Sequence, residues 1–241
     1  MNKVVLITGS SKGIGAACAQ IFASNGYDVI INYNTNEQKA NNLKEEIIEK
    51  YNVKCLTYQC DISNEKKVIK FFENVQSEFS KIDVLINNAG IACDNFLDQK
   101  TVAEFQHVIN TNLVGTFIVT KYFSKLMDGG SIINISSTNA IDSYYPESID
   151  YDASKSGIIS LTHNYAKYFA PKIRVNAICP GWVNTEHNSL LTKEEKANLS
   201  KGILLERFGS PMEIAKVVFF VANDASYINN AVIRVDGGEL C

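Results

Sequence analysis

Seven short apolar runs recur along this chain, with room for a helix between each and the next. This alternation restricts the fold more than any other feature. The runs cover residues 3–8, 28–33, 53–59, 83–87, 130–136, 173–178 and 231–235. They are rich in Val and Ile and do not alternate cleanly between apolar and polar, as expected of parallel strands buried on both faces. The intervals between them read as helices. Thr101-Val102-Ala103-Glu104, Thr192-Lys193-Glu194-Glu195 and Ser210-Pro211-Met212-Glu213 each fit a capping box, and Pro211 falls at the first helical position. Right-handed βαβ crossovers follow, and with them a doubly wound α/β sheet of about seven parallel strands with helices on both faces. The seven runs use the whole of residues 1–241, so a single domain is expected. The least regular segment, 180–210, begins Pro180-Gly181-Trp182 and has weak helical patterns at 185–191 and 193–200. A long irregular insert in a compact fold is usually functional, which places an expected substrate lid within about 182–208.

Composition excludes several classes of function. A net charge of −3 gives no electrostatic reason to expect a nucleic acid partner. No apolar run reaches the roughly 18 residues that a membrane span needs. Met1-Asn2-Lys3-Val4 runs straight into a strand pattern without the features of a signal peptide. The cysteines, Cys18, Cys55, Cys60, Cys93, Cys179 and Cys241, form no Cys-x-x-Cys pair, and His107, His163 and His187 are near none of them in sequence. Neither a metal site nor a disulfide framework is expected, and reduced thiols in a cytoplasmic protein are. Cys55 and Cys179 lie in strand patterns and read as core.

Directly after the first apolar run comes Thr8-Gly9-Ser10-Ser11-Lys12-Gly13-Ile14-Gly15. Gly9 permits a tight turn, while Gly13 and Gly15 permit close backbone approach to a diphosphate and close helix–strand packing. A helix starting near Gly13 would present free N–H groups and its positive dipole end to phosphates. A dinucleotide cofactor and a Rossmann-type fold are therefore expected. An acidic residue at the end of the second strand would bind a ribose 2′-OH and repel a 2′-phosphate. Here that stretch reads Ile31-Asn32-Tyr33-Asn34-Thr35, without a carboxylate, and Asn34 and Thr35 could donate hydrogen bonds to the phosphate. NADP(H) is thus favoured over NAD(H), with Glu37 the complicating charge.

A second constellation is Tyr151-Asp152-Ala153-Ser154-Lys155, preceded by Ser136 and Ser137. Reducing a ketone needs a hydride on carbon and a proton on oxygen. A free phenol has a pKa of about 10, and an ammonium one helical turn away would lower it towards neutrality. Tyr151 and Lys155 have that spacing. Ser137 would hydrogen-bond the substrate oxygen and stabilise charge there. A serine hydrolase is disfavoured, because no Gly-x-Ser-x-Gly elbow is present and no histidine has a motif context. His163 reads as a packing residue. A nucleotide-sensing module is the remote alternative, and it would have no need of a proton donor.

Taken in order, these motifs resemble those of the short-chain dehydrogenase/reductase family. Thr-Gly-x-x-x-Gly-x-Gly, Asp61 after the third strand, Asn87-Asn88-Ala89-Gly90 after the fourth, Tyr151-x-x-x-Lys155, Pro180-Gly181 and Val235-Asp236-Gly237-Gly238 cover essentially the whole chain. The resemblance implies a cofactor contact for Gly9, Ser10, Ser11, Lys12, Gly13, Ile14 and Gly15, with Lys12 reaching a 2′-phosphate. It implies that Asp61 binds the adenine amino group, that Ile62 covers the ring, and that Asn88, Ala89 and Gly90 line the path of the ribose. It also implies that Val183 and Thr185, after Pro180 and Gly181, hold the nicotinamide carboxamide. The resemblance further implies that Tyr151 and Lys155 serve both cofactor and catalysis, and that Asn112, with Asn110 as its alternative, joins Lys155 to a water relay. The serine–tyrosine spacing usual in the family is one residue shorter than Ser137 to Tyr151, which Thr138 would satisfy; the strand end Ile133-Asn134-Ile135-Ser136-Ser137 favours Ser137.

Within the family the chain looks most like bacterial 3-oxoacyl-(acyl carrier protein) reductases of fatty acid biosynthesis, which implies a carbonyl or alcohol substrate, including acyl thioesters. Two stretches depart from that pattern. Leu126-Met127-Asp128-Gly129-Gly130 puts an acid where carrier-binding relatives tend to be basic, although Lys172 and Arg174 partly retain a second basic patch. The loop from Asp142 to Asp150 carries Tyr144 and Tyr145, which could stack on a ring, so a sugar, steroid or other small secondary alcohol is the alternative substrate. The apolar faces of helices 101–127 and 151–170 imply, by the same resemblance, a homotetramer or homodimer.

Overall fold

The structure is a computed structural model, and it describes residues 2–186, 188 and 191–239. His187, Cys241, part of the expected 185–191 helix and part of the 182–208 lid fall outside the described residues. All seven apolar runs form strands: β1 (Val4–Ile7), β2 (Asp28–Tyr33), β3 (Cys55–Gln59), β4 (Val84–Asn87), β5 (Gly130–Ile135), β6 (Ile173–Pro180) and β7 (Val232–Val235). They pair in parallel in the order β3-β2-β1-β4-β5-β6-β7, with Val5 opposite Val29 on one side and Val84 on the other.

The strands lack an apolar–polar alternation because both faces of the sheet are covered. Val5 and Ile7 pack with Phe22 of α1 (Gly13–Ser24), Ile47 of α2 (Glu37–Tyr51) and Val218 of α8 (Pro211–Phe219). Val4 and Leu6 point the other way, towards Phe71 of α3 (Glu65–Glu78), Phe123 of α5 (Gly115–Phe123) and Ala166 of α6 (Ile149–Phe169). Burying each of these Val, Leu, Ile and Phe side chains contributes roughly 1.5–3 kcal/mol. The three expected capping boxes form, at the starts of α4 (Val102–Ile109), α7 (Lys193–Ser200) and α8, with Pro211 opening α8.

One helix departs from expectation. The pattern over 101–127 is not one α-helix, because a π-helical turn at Asn110–Val114 separates α4 from α5. Such turns are rare and often lie at functional sites. The sheet order also locates a site. The chain moves outward from β1 to β3, then returns to the other side of β1 with β4, so the crevice beyond the carboxyl ends of β1 and β4 is where a ligand is received in an open α/β sheet.

Candidate active site

The loop after β1 and the loop after β4 are tied together across this crevice. Thr8 Oγ1 accepts from the N–H groups of Asn88 (3.0 Å) and Ala89 (3.1 Å). Asn88 Nδ2 donates to Thr8 O (2.9 Å) and Gly9 O (3.0 Å). Gly9 adopts φ +62°, and a Cβ on it would lie 2.7 Å from Ala89 Cα. A Cβ on Gly15 would lie 2.6 Å from Asn88 Nδ2. The glycines are thus required as much by this loop–loop contact as by any ligand. Asn32, at the end of β2, completes it: Oδ1 accepts from Gly9 N (3.3 Å) and Nδ2 donates to Cys60 O (3.0 Å).

Helix α1 starts at Gly13 with no side chain capping it. Its first N–H groups, flanked by Ser11 and Lys12, make a donor-rich end suited to a diphosphate. A dinucleotide therefore fits here on the chemistry of the donors. Ser10 contributes little side chain, since its buried hydroxyl donates to Ile7 O at 2.8 Å. Ile14 leans on the core, and Gly13 faces Thr185, whose Cγ2 would be 3.5 Å from a Cβ there. The segment after β6 consequently overhangs the glycine loop. Pro180 ends β6, Gly181 packs against Asp236, and Val183 is buried and bridges to Gly209.

At the outer end of the crevice, Asn34 and Thr35 are exposed, and a surface depression is lined by Thr35, Asn36, Glu37, Gln38 and Lys39. Lys12 is not a solitary cation. Its Nζ lies 3.7 Å from Glu186 Oε2, while Lys39 Nζ contacts Glu186 Oε1 at 2.6 Å. Lys39 escaped sequence reasoning because its neighbour is fixed by a loop distant in sequence. Asp61 Oδ1 accepts from the N–H (3.0 Å) and hydroxyl (2.7 Å) of Ser63. Ile62 is buried and packs against Gly115 of α5, so its side chain has little surface left to cover an adenine ring.

The chemistry-bearing side chains converge from β5 and α6. Tyr151 and Lys155 lie one turn apart on α6, with Lys155 Nζ 5.4 Å from the centre of the Tyr151 ring. Lys155 Nζ is buried and donates to Ile135 O at 2.8 Å. Of the two serine-position candidates, Ser137 lies close enough to act on the Tyr151 phenol while its Oγ donates to Asn139 Oδ1 at 3.0 Å, whereas Thr138 Oγ1 donates to Glu239 Oε2 at 2.9 Å. Asn110 is exposed, whereas Asn112 is buried. Asn112 sits in the π turn, accepts from Ile91 N (2.8 Å), and donates to Ile91 O (2.9 Å) and Ser154 Oγ (2.9 Å). Asn112 holds the loop after Gly90 against α6, and Gly90 lies against both it and Lys155 Nζ.

The expected acidification of Tyr151 by Lys155 is corrected. Burial pushes the phenol up to about 12, the Ser137 hydrogen bond opposes this, and the charges of Asp152 and Asp94 add to it. Burial brings the Lys155 ammonium down to about 8. Both groups are displaced towards their neutral forms because the low-polarity pocket disfavours either charge.

Two other expectations change. Arg174 is not a free basic patch, since its guanidinium donates to the carbonyls of Val221, Ile228 and Ala222. Lys172 remains exposed. Tyr145 stands edge-on to Trp182 (ring centroids 5.8 Å apart), and its hydroxyl donates to Glu239 Oε1 and accepts from Trp182 Nε1, both at 3.1 Å. Tyr144 is exposed, with its hydroxyl on Ile141 O. His163 is half-buried, and its Nδ1 is 2.6 Å from Asn230 Oδ1. Among the described residues no group of three His, Cys, Asp or Glu side chains could hold a metal, and no helix is long and apolar enough to cross a membrane.

The crevice, the glycine turn and the Ser–Tyr–Lys cluster define a nicotinamide-dependent oxidoreductase. A family model described as enoyl-(acyl carrier protein) reductase matches residues 9–239, and the chain belongs to the short-chain dehydrogenase/reductase family. The chain is 39% identical over 242 residues to the 3-oxoacyl-[acyl-carrier-protein] reductase FabG of Aquifex aeolicus, covering 98% of this chain and 97% of that protein. Among solved structures it is similar to a short-chain dehydrogenase from Burkholderia cenocepacia in complex with NADP (TM-score 0.92, 28% identity, 98% of this chain and 97% of that one). It is also similar to the acetoin dehydrogenase YohF of Salmonella typhimurium (TM-score 0.89, 29% identity, 99% and 96%).

Proposed function

We propose that the protein is an NADP(H)-dependent reductase of 3-oxoacyl thioesters. The observation that carries this reading is the convergence of Ser137, Tyr151 and Lys155 beside the crevice, in a chain so similar to a 3-oxoacyl reductase along its full length. When bound, the cofactor supplies hydride to the carbonyl carbon. Tyr151 gives its phenolic proton to the carbonyl oxygen, and a pKa near 12 keeps that proton in place at neutral pH. Ser137 hydrogen-bonds the same oxygen as charge develops on it. Lys155, with a pKa near 8, is largely an ammonium at pH 7 and holds the cofactor ribose beside Tyr151. Asn112 supports the path by which Lys155 exchanges protons with water.

In this reading the glycine turn holds the diphosphate, Lys12, Asn34 and Lys39 meet the 2′-phosphate, and Asp61 takes the adenine. Asn88, Ala89 and Gly90 line the ribose path, and Pro180, Gly181, Val183 and Thr185 hold the carboxamide end. Segment 182–208 acts as a lid, and the working form is a homotetramer or homodimer in the cytoplasm. A second reading, a small secondary alcohol or diketone as substrate, is favoured by the wall of Tyr145, Trp182 and Glu239 and by the likeness to an acetoin dehydrogenase.

The test is NADPH oxidation with acetoacetyl-CoA, followed optically, with Tyr151→Phe as the control. Turnover that falls by about 10²–10⁴ in the variant, with NADPH binding kept, supports the reading. Wild-type protein that binds NADPH and leaves acetoacetyl-CoA untouched, yet reduces acetoin or diacetyl, moves the assignment to the second reading.

A further inference from the structure

Among the described residues, one ion pair has both side chains removed from solvent, and it lies immediately before the catalytic tyrosine. Lys100 Nζ is 2.9 Å from Asp150 Oδ2, with side-chain exposures of 4% and 0%. The same ammonium donates to Cys93 O, and the other carboxylate oxygen, Asp150 Oδ1, accepts from Tyr151 N at 2.9 Å. Nothing in the proposed reaction uses either residue.

A buried ion pair is a poor device for stability alone. Withdrawing two charges from water costs several kcal/mol per ion, and well-packed apolar residues often replace such a pair without loss. What a buried pair offers is fixed relative position. Here it joins the loop that follows β4 to the start of the helix that carries Tyr151. Lys100 ends the loop that follows Gly90, a loop pinned at its other end by Asn112 to Ile91. Asp150 lies in the first turn of α6, where a carboxylate also interacts favourably with the helix dipole. Asn95 N donates to Glu147 O at 3.1 Å, a second tie between the same two segments. Asp94, in that loop, lies near enough for its charge to act on the Tyr151 phenol.

We propose that Lys100 and Asp150 are positioning residues for the reaction: their buried pair clamps loop 91–100 to the start of α6 and so fixes the placement of Tyr151 against the cofactor crevice. The activity arm of the test rests on the reductase reading, and a second arm is independent of it.

Lys100→Met, Asp150→Leu and the double variant would be compared with wild type by thermal unfolding, by steady-state NADPH-dependent reduction of acetoacetyl-CoA, and by amide hydrogen exchange over 91–100 and 149–155. Each single variant leaves a buried charge unpaired and should lower Tm. The double variant should regain most of that loss, since no unpaired charge remains. If the pair positions Tyr151, kcat in the double variant stays about tenfold or more below wild type while KM for NADPH moves less than twofold, and exchange rises in both segments. A double variant with wild-type kcat and wild-type exchange overturns the proposal. If the single variants do not fold, the double variant and Lys100→Arg, which keeps the charge and should keep kcat within threefold, decide it. If wild type does not reduce acetoacetyl-CoA, the substrate reading fails and exchange alone decides: unchanged exchange in both segments overturns the clamp.

Discussion

Lys155 illustrates what one residue's environment adds to its spacing. The sequence places it one turn from Tyr151, and that was legible. The burial that brings its pKa from 10.5 to about 8 was not, because it depends on Ile135, Gly90 and Asn112, which only the fold gathers. A depressed lysine pKa means that the unfolded chain holds the proton more tightly, so its presence destabilises the fold by about 3 kcal/mol below pH 8. That penalty shrinks as pH rises from 8 towards 10.5. Tyr151 works in the opposite sense only above pH 10, where the folded form keeps a proton that the unfolded form loses. Urea unfolding of wild type and Lys155→Met between pH 6 and 10 should therefore give a difference that is flat below pH 7. Wild type should then gain about 2 kcal/mol relative to the variant between pH 8 and 10. Parallel curves across that range would show that the ammonium is solvated.

At the level of elements, the strands and the three capped helices were readable because each depends on local pattern: unbroken apolar runs, a Ser or Thr three residues before Glu, a proline at a helix start. The π turn was not readable. Asn110-Thr111-Asn112-Leu113-Val114 has no residue that forbids an α-helix, and the wider turn is accompanied by the hydrogen bonds Asn112 makes to Ile91 and Ser154. The glycine turn lies between these cases. Its tight geometry was legible in the motif, whereas its contact with the β4 loop was not. That contact makes a sharp prediction at Gly15. An added methyl would sit 2.6 Å from Asn88 Nδ2 and displace the amide from Thr8 O and Gly9 O. Gly15→Ala should cost about 1–3 kcal/mol of stability and weaken NADPH binding at least tenfold. Gly129→Ala, whose methyl meets only Lys172 O at 3.6 Å, should change neither. Calorimetric unfolding together with NADPH fluorescence titration would check both variants.

For the molecule as a whole, the surface carries apolar side chains that the single chain does not cover. Val102 and Phe105 on α4, and Val114 and Phe117 across the π turn and α5, are spaced three apart and so share a face within each pair. Val102 is 74% exposed and Phe117 45%. Scattered exposed apolar residues are ordinary, but a run of them along consecutive helical segments is typical of an interface. The long helices implied an assembly in the sequence; which residues remain outside the core could be read only once α5 had been docked on the sheet through Ile118, Val119 and Phe123. These same segments carry Asn112 and brace loop 91–100, so association would also bear on the catalytic side of the crevice. Sedimentation velocity at micromolar concentration should accordingly show a dimer or tetramer. Phe117→Glu should shift it towards monomer by opposing burial of that face, with kcat falling by a few-fold. A wild-type chain that sediments as a monomer would remove the interface and leave the Phe117 stripe as exposed surface.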